Sequence, residues 1–334
     1  MTPGSADDSA GAAAPERAAR EAGAHERIAH LAVETPDAVH RCGTVAIVGR
    51  PNVGKSSLLN ALIGQKLSIT SPRPQTTRHR VLGIRTEARA QLIFIDSPGW
   101  QSARREPIHR LLNRTAEQVA QEADLVLWVV EACHAPSEDG QVAARIAPGR
   151  PVILVINKVD RVRRKEKVFE QAAALAGRFA VEAVVPVSAL RSTQLDALVG
   201  ECIARLPPGP ARYPVDALTD CSERFLAGEL VREKLFRLLG DELPYETTVL
   251  VERFEEPVAA RPLRRIHALI VVQRDAQRAI VLGHEGRAIR RIGSEARRDM
   301  ERLFGGRVYL GLHVKVRSDW AAQEQALRAY GYGA

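Results

Sequence analysis

Cysteine is scarce. Four residues, Cys42, Cys133, Cys202 and Cys221, stand far apart, with no Cys-x-x-Cys pair and no histidine cluster beside them. That excludes a disulfide framework or a structural zinc site as the organising principle, and reduced thiols are expected. The nine histidines include no His-Glu-x-x-His, which removes the zinc-hydrolase pattern. Aromatic residues make up only 4% of the chain, so leucine, valine, isoleucine and alanine must fill its core. No apolar run approaches a membrane span, since even the run at 125–130 is short. The first forty residues carry Asp7, Asp8, Glu16 and Glu21 among alanines and arginines and lack the apolar stretch of a secretion signal. The expectation is a poorly ordered extension over 1–40 and a cytoplasmic location.

What is present is basic and ordinary in hydropathy: 45% hydrophobic, 26% charged, with a net charge of +8. An excess of positive charge points to a polyanionic partner without requiring one. At 334 residues, two domains are expected.

The most informative stretch is Gly49-Arg50-Pro51-Asn52-Val53-Gly54-Lys55-Ser56, between the apolar run 45–48 and a helical pattern beginning at Ser57. Strand, glycine loop and helix with the spacing G-x-x-x-x-G-K-S make a phosphate-cradling P-loop. The glycines let successive N–H groups converge on phosphate oxygens at a helix N-terminus, where the macrodipole favours anions. Lys55 is then placed for the outer phosphates and the Ser56 hydroxyl for Mg²⁺.

Further polar clusters fall at the ends of other strand-like runs. Runs at 45–48, 91–95, 125–130, 152–156 and 183–187 alternate with helical patterns at 107–122, 163–177 and 193–204. That alternation predicts a doubly wound, mostly parallel α/β sheet, which binds ligands outside the carboxyl ends of its strands. The stretch 68–80, with Pro72 and Pro74, reads as a loop, and its Thr77 hydroxyl can complete a Mg²⁺ shell when a γ-phosphate holds the loop. Asp96-Ser97-Pro98-Gly99 closes the next strand: the aspartate can hold the metal directly or through water, and the Gly99 N–H can face the γ-phosphate. Asn157-Lys158-Val159-Asp160 follows the run at 152–156. Its aspartate can accept from guanine N1–H and the exocyclic amine, a donor pair that adenine lacks. Ser188-Ala189-Leu190 ends the last run, where the Ala189 N–H can reach guanine O6. Together these motifs resemble the translation-factor-like class of small GTPases. The site expected from them comprises Gly49, Asn52, Val53, Gly54, Lys55, Ser56, Ser57, Asp96, Ser97, Pro98, Gly99, Asn157, Lys158, Asp160, Ser188, Ala189 and Leu190. Ser56, Thr77 and Asp96 are the expected metal ligands, and Lys55, Thr77 and Gly99 face the reacting phosphate. Trp100 occupies the position where Ras-like switches carry the water-orienting glutamine. It is expected not to take part in catalysis, so hydrolysis would depend on a potassium ion, a repositioned polar group or a macromolecular partner.

Leu206-Pro207-Pro208-Gly209-Pro210 is a stiff, extended break, which sets expected domains at 41–206 and 221–334 with a linker over 207–220. Beyond it, 221–239 has the pattern of an amphipathic helix, and 247–254 and 265–273 read as strands. A short apolar segment then leads into Gly283-His284-Glu285-Gly286 and a long helix. That helix carries Ile289, Ile292, Ala296, Met300 and Leu303 on one face and Arg287, Arg290, Arg291, Arg297, Arg298 and Arg302 largely outside it. A closing strand is expected over 308–316. Helix, two strands, helix, Gly-x-x-Gly, helix and strand is the order of a type II KH fold, in which the glycine loop admits a nucleic-acid backbone. Gly283, His284, Gly286, Arg287, Arg290 and Arg291 are the candidate RNA contacts.

A GTPase domain joined to such a KH domain, with Gln75-Thr76-Thr77-Arg78-His79-Arg80 and Asp241-Glu242-Leu243-Pro244-Tyr245, resembles the Era family of bacterial GTPases from about residue 41 to the C-terminus. The resemblance implies GTP/GDP and Mg²⁺ as ligands, GTP hydrolysis, binding to the 3′ end of small-subunit ribosomal RNA, and a role in small-subunit assembly. It also implies peripheral contact with the inner membrane face, and a monomer is expected. Two departures stand out: His284-Glu285 replaces the family's usual Asn-Lys, and Ser97 and Trp100 replace threonine and a smaller apolar residue. A constitutive RNA-binding module with a structural nucleotide site, and a GTPase acting in tRNA modification or at a membrane, remain rival readings.

Overall fold

The computed structural model describes residues 39–100, 107–134, 137–239, 246–259 and 262–332. The expected N-terminal extension (save its last two residues), the stretch 241–245 and Gln101 lie outside them.

The first half builds strand β1 (Arg41–Val48), helix α1 (Lys55–Ile63), strands β2 (Val81–Glu87) and β3 (Ala90–Asp96), helix α2 (Pro107–Glu122) and strand β4 (Leu125–Glu131). It continues with α3 (Ser137–Ala143), β5 (Val152–Asn157), α4 (Glu166–Ala176), β6 (Ala183–Pro186) and α5 (Leu195–Arg205). The six strands form one sheet in the order β2-β3-β1-β4-β5-β6, all parallel except β2. Strands covered on both faces need apolar residues at every position, and β3 and β5 are buried throughout. Their side chains divide between two cores: Ile47, Leu127 and Val155 pack with α1 and α5, whereas Val48, Trp128 and Ile156 pack with α2 and α4.

Strand β2 is absent from the sequence reading. Arg85, Thr86 and Glu87 break its apolar pattern, as befits an antiparallel edge strand with a half-exposed end. The helical runs at 163–177 and 193–204 shrink to α4 and α5, and the short helix α3 was not anticipated.

The second half runs α6 (Glu223–Leu238), β7 (Thr248–Glu255), β8 (Arg264–Val272), α7 (Asp275–Leu282), α8 (Arg287–Phe304), β9 (Val308–Val316) and α9 (Glu324–Ala329). The sheet order is β7-β8-β9, antiparallel then parallel. The expected apolar segment before Gly283 is the end of α7, whose side chain at Val281 enters the core.

Helix α6 differs most from its expected amphipathic character. Ser222 caps it, accepting from the Phe225 N–H at 3.2 Å, but from Leu226 to Phe236 every residue is buried. Its polar face meets the GTPase-like half instead of water, so its charges are paired. Arg232 donates to both Glu229 oxygens, at 2.8 and 2.5 Å. Lys234 meets Glu233 at 3.1 Å and Asp299 of α8 at 2.5 Å, and Lys66, just past α1, joins the same two carboxylates. Burial alone would push the Asp299 carboxyl up, but the ammonium groups of Lys234 and Lys66 outweigh it and hold the group well below the usual carboxylate range. A depressed carboxylate contributes stability that is present above its unfolded pKa and lost as pH falls through the folded one. Asp299→Asn should therefore lower stability at neutral pH and flatten the acid limb of a chemical-denaturation series. The expected loss at pH 7 lies between the ~1 kcal/mol of an exposed ion pair and the roughly 3–5 kcal/mol of a buried one.

The proline-rich connector does not stand free. Cys42 N–H donates to the Pro207 carbonyl at 3.1 Å, Ile84 N–H to Leu218 at 2.8 Å, and the Gln91 side-chain oxygen accepts from the N–H groups of Arg212 and Tyr213. A C-terminal segment closes the other side: Trp320, Leu327 and Tyr332 pack with Ile108 and Leu112 of α2 and Val271 of β8. Arg78 donates to the Thr247 carbonyl and the Tyr332 hydroxyl, at 2.9 and 3.2 Å, and His79 stacks on the Tyr332 ring. The loop 68–80 thus ends anchored on the KH-like half.

Candidate nucleotide site and glycine loop

The P-loop leaves β1 at Gly49 and enters α1 at Lys55. Gly54 has φ 99°, and a Cβ there would strike the Asn157 amide, so only glycine fits between loop and strand β5. Asn157 is what brings the expected motifs together. Its Nδ2 donates to the Val53 carbonyl at 2.9 Å, and its Oδ1 accepts from the N–H groups of Lys158 at 2.8 Å and Ala189 at 3.1 Å. The Ala189 N–H, expected to face guanine O6, is therefore already engaged by Asn157.

Lys158 lies over the same loop, donating to the Asn52 carbonyl and to Glu131 at the end of β4, both at 2.6 Å. Asp160 is exposed and accepts from the Ser188 hydroxyl at 2.5 Å. Leu190, two residues beyond Ser188, is open to solvent, 76% exposed.

At the phosphate end, Lys55 is buried and donates to the carbonyls of Gly49 and Arg50 at 3.1 and 2.9 Å. Burial pushes its ammonium down to about 8; the Asp96 charge opposes that shift, and Arg50 adds to it. Ser56 Oγ lies 2.7 Å from Thr77 Oγ1 and donates to Asp96 Oδ2 at 2.6 Å, so the expected metal ligands meet although they come from three segments. Thr77 reaches the same carboxylate oxygen at 3.4 Å. Ser68, which the sequence reading omitted, donates to it at 2.7 Å. Burial raises the Asp96 pKa, opposed by Lys55 and by these three hydroxyls. Its other oxygen is buried without a hydrogen-bond partner among the described residues. An all-oxygen donor set with one carboxylate and an unsatisfied buried lone pair suits Mg²⁺, which takes few protein ligands and the remainder from phosphate and water.

Gly99 approaches closely: a methyl there would sit 2.9 Å from the Lys55 ammonium nitrogen. Ser97 behaves differently from its place in the expected site. It is fully buried and its hydroxyl donates to the Ile47 carbonyl at 3.1 Å, so its side chain ties β3 to β1 and does not enter the cavity. Pro98 is buried as well. Trp100 is 3% exposed and packs with Ala116 and Val119 of α2, a core position that keeps the ring away from an attacking water.

A cavity of ≈ 530 Å³ joins these parts, lined by Asn52, Gly54, Lys55, Ser56, Ser57, Thr77, Gly99 and Lys158 among others. Asp160, Ser188, Ala189 and Leu190 lie at the neighbouring strand ends and not in its wall. Sequence reasoning missed Glu131 and the buried Asp139, which holds Arg50 of the P-loop at 2.6 Å. Glu131 had a signal, being a carboxylate at a strand end on the ligand edge; Asp139 and Ser68 had none.

At the second site, Gly283, Glu285 and Gly286 all have positive φ, and a single 3₁₀ turn over His284–Gly286 joins α7 to α8. His284 and Glu285 project into solvent, and Arg287 lies 2.8 Å from His284 Nδ1 and 3.8 Å from the Glu285 carboxylate. Arg290 grips the backbone carbonyls of Glu285 and Gly286, which fixes the loop, while Arg291 is paired with Glu295 at 3.0 Å. Thus Gly283, His284, Gly286, Arg287 and Arg290 gather at the head of α8, and Arg291 points one turn away.

A P-loop, a hydroxyl-carboxylate metal nest and an Asn-Lys-x-Asp strand end define a GTPase of the translation-factor class, here joined to a KH fold. The model of the family described as 50S ribosome-binding GTPase matches residues 44–158, and that of the KH domain matches residues 242–321. The GTPase Era of Pseudomonas savastanoi pv. phaseolicola is 48% identical over 294 residues, covering 88% of this chain and 97% of its own. That of Xanthomonas axonopodis pv. citri is 49% identical over 295 residues, with the same shares covered. Among solved structures, an Aquifex aeolicus Era variant bound to GDP.AlF4- superposes with a TM-score of 0.83 at 36% identity. An Era complex with MgGDPNP and nucleotides 1506–1542 of 16S ribosomal RNA gives 0.83 at 35%; both cover 88% of this chain and 100% of theirs. The chain belongs to the Era family of GTPases.

Proposed function

We propose that the protein is a GTP-hydrolysing switch whose KH domain holds the 3′ end of small-subunit ribosomal RNA during assembly of the small subunit. The expected domains (41–206, the linker 207–220, and 221–334 with its C-terminal helix) carry the two activities. The observation that supports the reading most is the meeting of Ser56, Thr77 and Asp96, because Thr77 belongs to a loop that also ends on the KH half. Lys55 neutralises the outer phosphates, Gly99 presents its N–H to the terminal one, and Asp160 reads the guanine edge. Bound Mg²⁺ would supply charge neutralisation between the phosphates. With Trp100 packed in the core, water activation falls to a potassium ion, a repositioned polar group or the RNA-bound assembly.

The test is coupling. RNA ending in the small-subunit 3′ sequence should stimulate hydrolysis and bind more tightly with GTP than with GDP. Equal RNA affinity in both states would sink the switch. The Glu285 carboxylate sits where an RNA phosphate backbone would approach, with Arg287 3.8 Å from it and Arg290 bound to the Glu285 carbonyl as the arginines placed to offset it. Glu285→Lys should therefore tighten RNA binding by about 3- to 10-fold at moderate salt and steepen the log–log salt dependence by roughly one ion, read by anisotropy titrations.

No described helix is long and apolar enough to cross a membrane. Peripheral contact with the inner membrane through the basic face, cytoplasmic residence and a monomeric state complete the proposal. Flotation with anionic vesicles and sedimentation of the purified chain test them.

A further inference from the structure

The stretch 69–73 lines the nucleotide cavity, yet the other half of the molecule holds it. Thr70 spends its whole hydrogen-bonding capacity on α6. Its N–H donates to Glu233 at 3.0 Å, its carbonyl accepts Arg237 Nε at 3.0 Å, and its hydroxyl oxygen accepts Arg237 Nη2 at 2.9 Å. Arg237 is itself part of the cavity wall, and Arg73 donates to the Leu239 carbonyl at the end of the same helix. Glu233 is fully buried and shares Lys66 and Lys234 with Asp299 of α8. A continuous chain of ion pairs therefore runs from the helix behind the Gly-x-x-Gly loop, through α6, to the backbone of the loop that carries Thr77.

We propose that Glu233 and Arg237 are positioning residues for the γ-phosphate-sensing loop. They fix Thr70 so that the triphosphate-selective part of the site is built jointly by both halves. The proposal rests on the GTP reading above. Ordering an irregular loop around a terminal phosphate costs conformational entropy, and a loop already pinned near one end has less left to lose. GDP lacks the terminal phosphate that the Thr77 loop is read as sensing, so the pin is expected to act on the triphosphate state. The planar guanidinium fork can hold a carbonyl and a hydroxyl of one residue together, whereas an ammonium cannot reproduce that pair.

The experiment uses the full chain with Mg²⁺ and compares calorimetric affinities for GDPNP and GDP. Arg237 is partly exposed, so Arg237→Ala should fold, and thermal melting checks that it does. The expected result is GDPNP weakened about 5- to 10-fold with GDP changed by less than about twofold. Arg237→Lys should recover only part of the loss. Thr70→Val combined with Arg237→Ala should lose less than the two single losses summed, since both remove the contact between the Thr70 hydroxyl and Arg237. Unchanged GDPNP affinity, equal weakening of both nucleotides, or full additivity of the double variant would each overturn the clamp while leaving the GTP reading intact. A wild-type chain that bound neither nucleotide would overturn both.

Discussion

Asp160→Asn is expected to cut GTP affinity by about 100- to 1,000-fold and to raise affinity for the xanthosine triphosphate. In the proposed role the carboxylate would accept two charge-assisted hydrogen bonds from guanine, each of roughly 1.5–3 kcal/mol, and every 1.4 kcal/mol is a factor of ten. An amide offers one acceptor and one donor, which matches the carbonyl that xanthine carries in place of the exocyclic amine. The Ser188 hydroxyl, 2.5 Å from Asp160, can turn to serve either side chain, so the substitution should leave the strand ends in place. Calorimetry with both nucleotides gives the answer directly. Equal weakening of the two would mean that Asp160 does not read the base.

Gly54→Ala should be still more damaging, because it attacks phosphate and base ends at once. The added methyl would enter the space of the Asn157 amide, and the backbone there has φ 99°, which costs an alanine about 1–3 kcal/mol before any clash. Moving Asn157 frees the Val53 carbonyl and the Ala189 and Lys158 N–H groups together. Nucleotide binding should fall by more than about 100-fold, with the melting midpoint of the GTPase half lowered by several degrees. A variant that kept its nucleotide affinity would show that the contact between P-loop and β5 is dispensable.

How much of this could be read beforehand follows from where the information is stored. The P-loop and the Asn-Lys-x-Asp and Gly-x-x-Gly stretches are contiguous, and each needs particular residue types: the glycine loops for their backbone conformation, Asn-Lys-x-Asp for its side chains. The strands that position them are apolar on both faces, so their pattern survives in the sequence. Strand β2 was lost because it lies at an edge and three of its seven residues, Arg85, Thr86 and Glu87, are polar. Ser68, Asp139 and Arg237 were lost for another reason. Each acts on a segment remote in sequence, and a serine, aspartate or arginine on a local pattern looks like solvated surface. Helix α6 is the clearest case: its charged face has the spacing of an exposed one, and only the partner half turns it into an interior. Ser97 differs the other way: its place in Asp-Ser-Pro-Gly puts it among the expected nucleotide-site residues until its acceptor on β1 is seen.

The connector over 207–219 has a practical consequence for anyone dividing the molecule. The prolines invite a cut after Leu206, but that cut strips the Gln91 side chain of its two backbone donors and leaves the Ile84 N–H without the Leu218 carbonyl. The margin of the first sheet is finished by residues of the connector between the two halves. An isolated nucleotide-binding fragment should run through Thr219, whose hydroxyl caps the Leu82 carbonyl at 2.6 Å, and a shorter one would carry a raw edge prone to self-association.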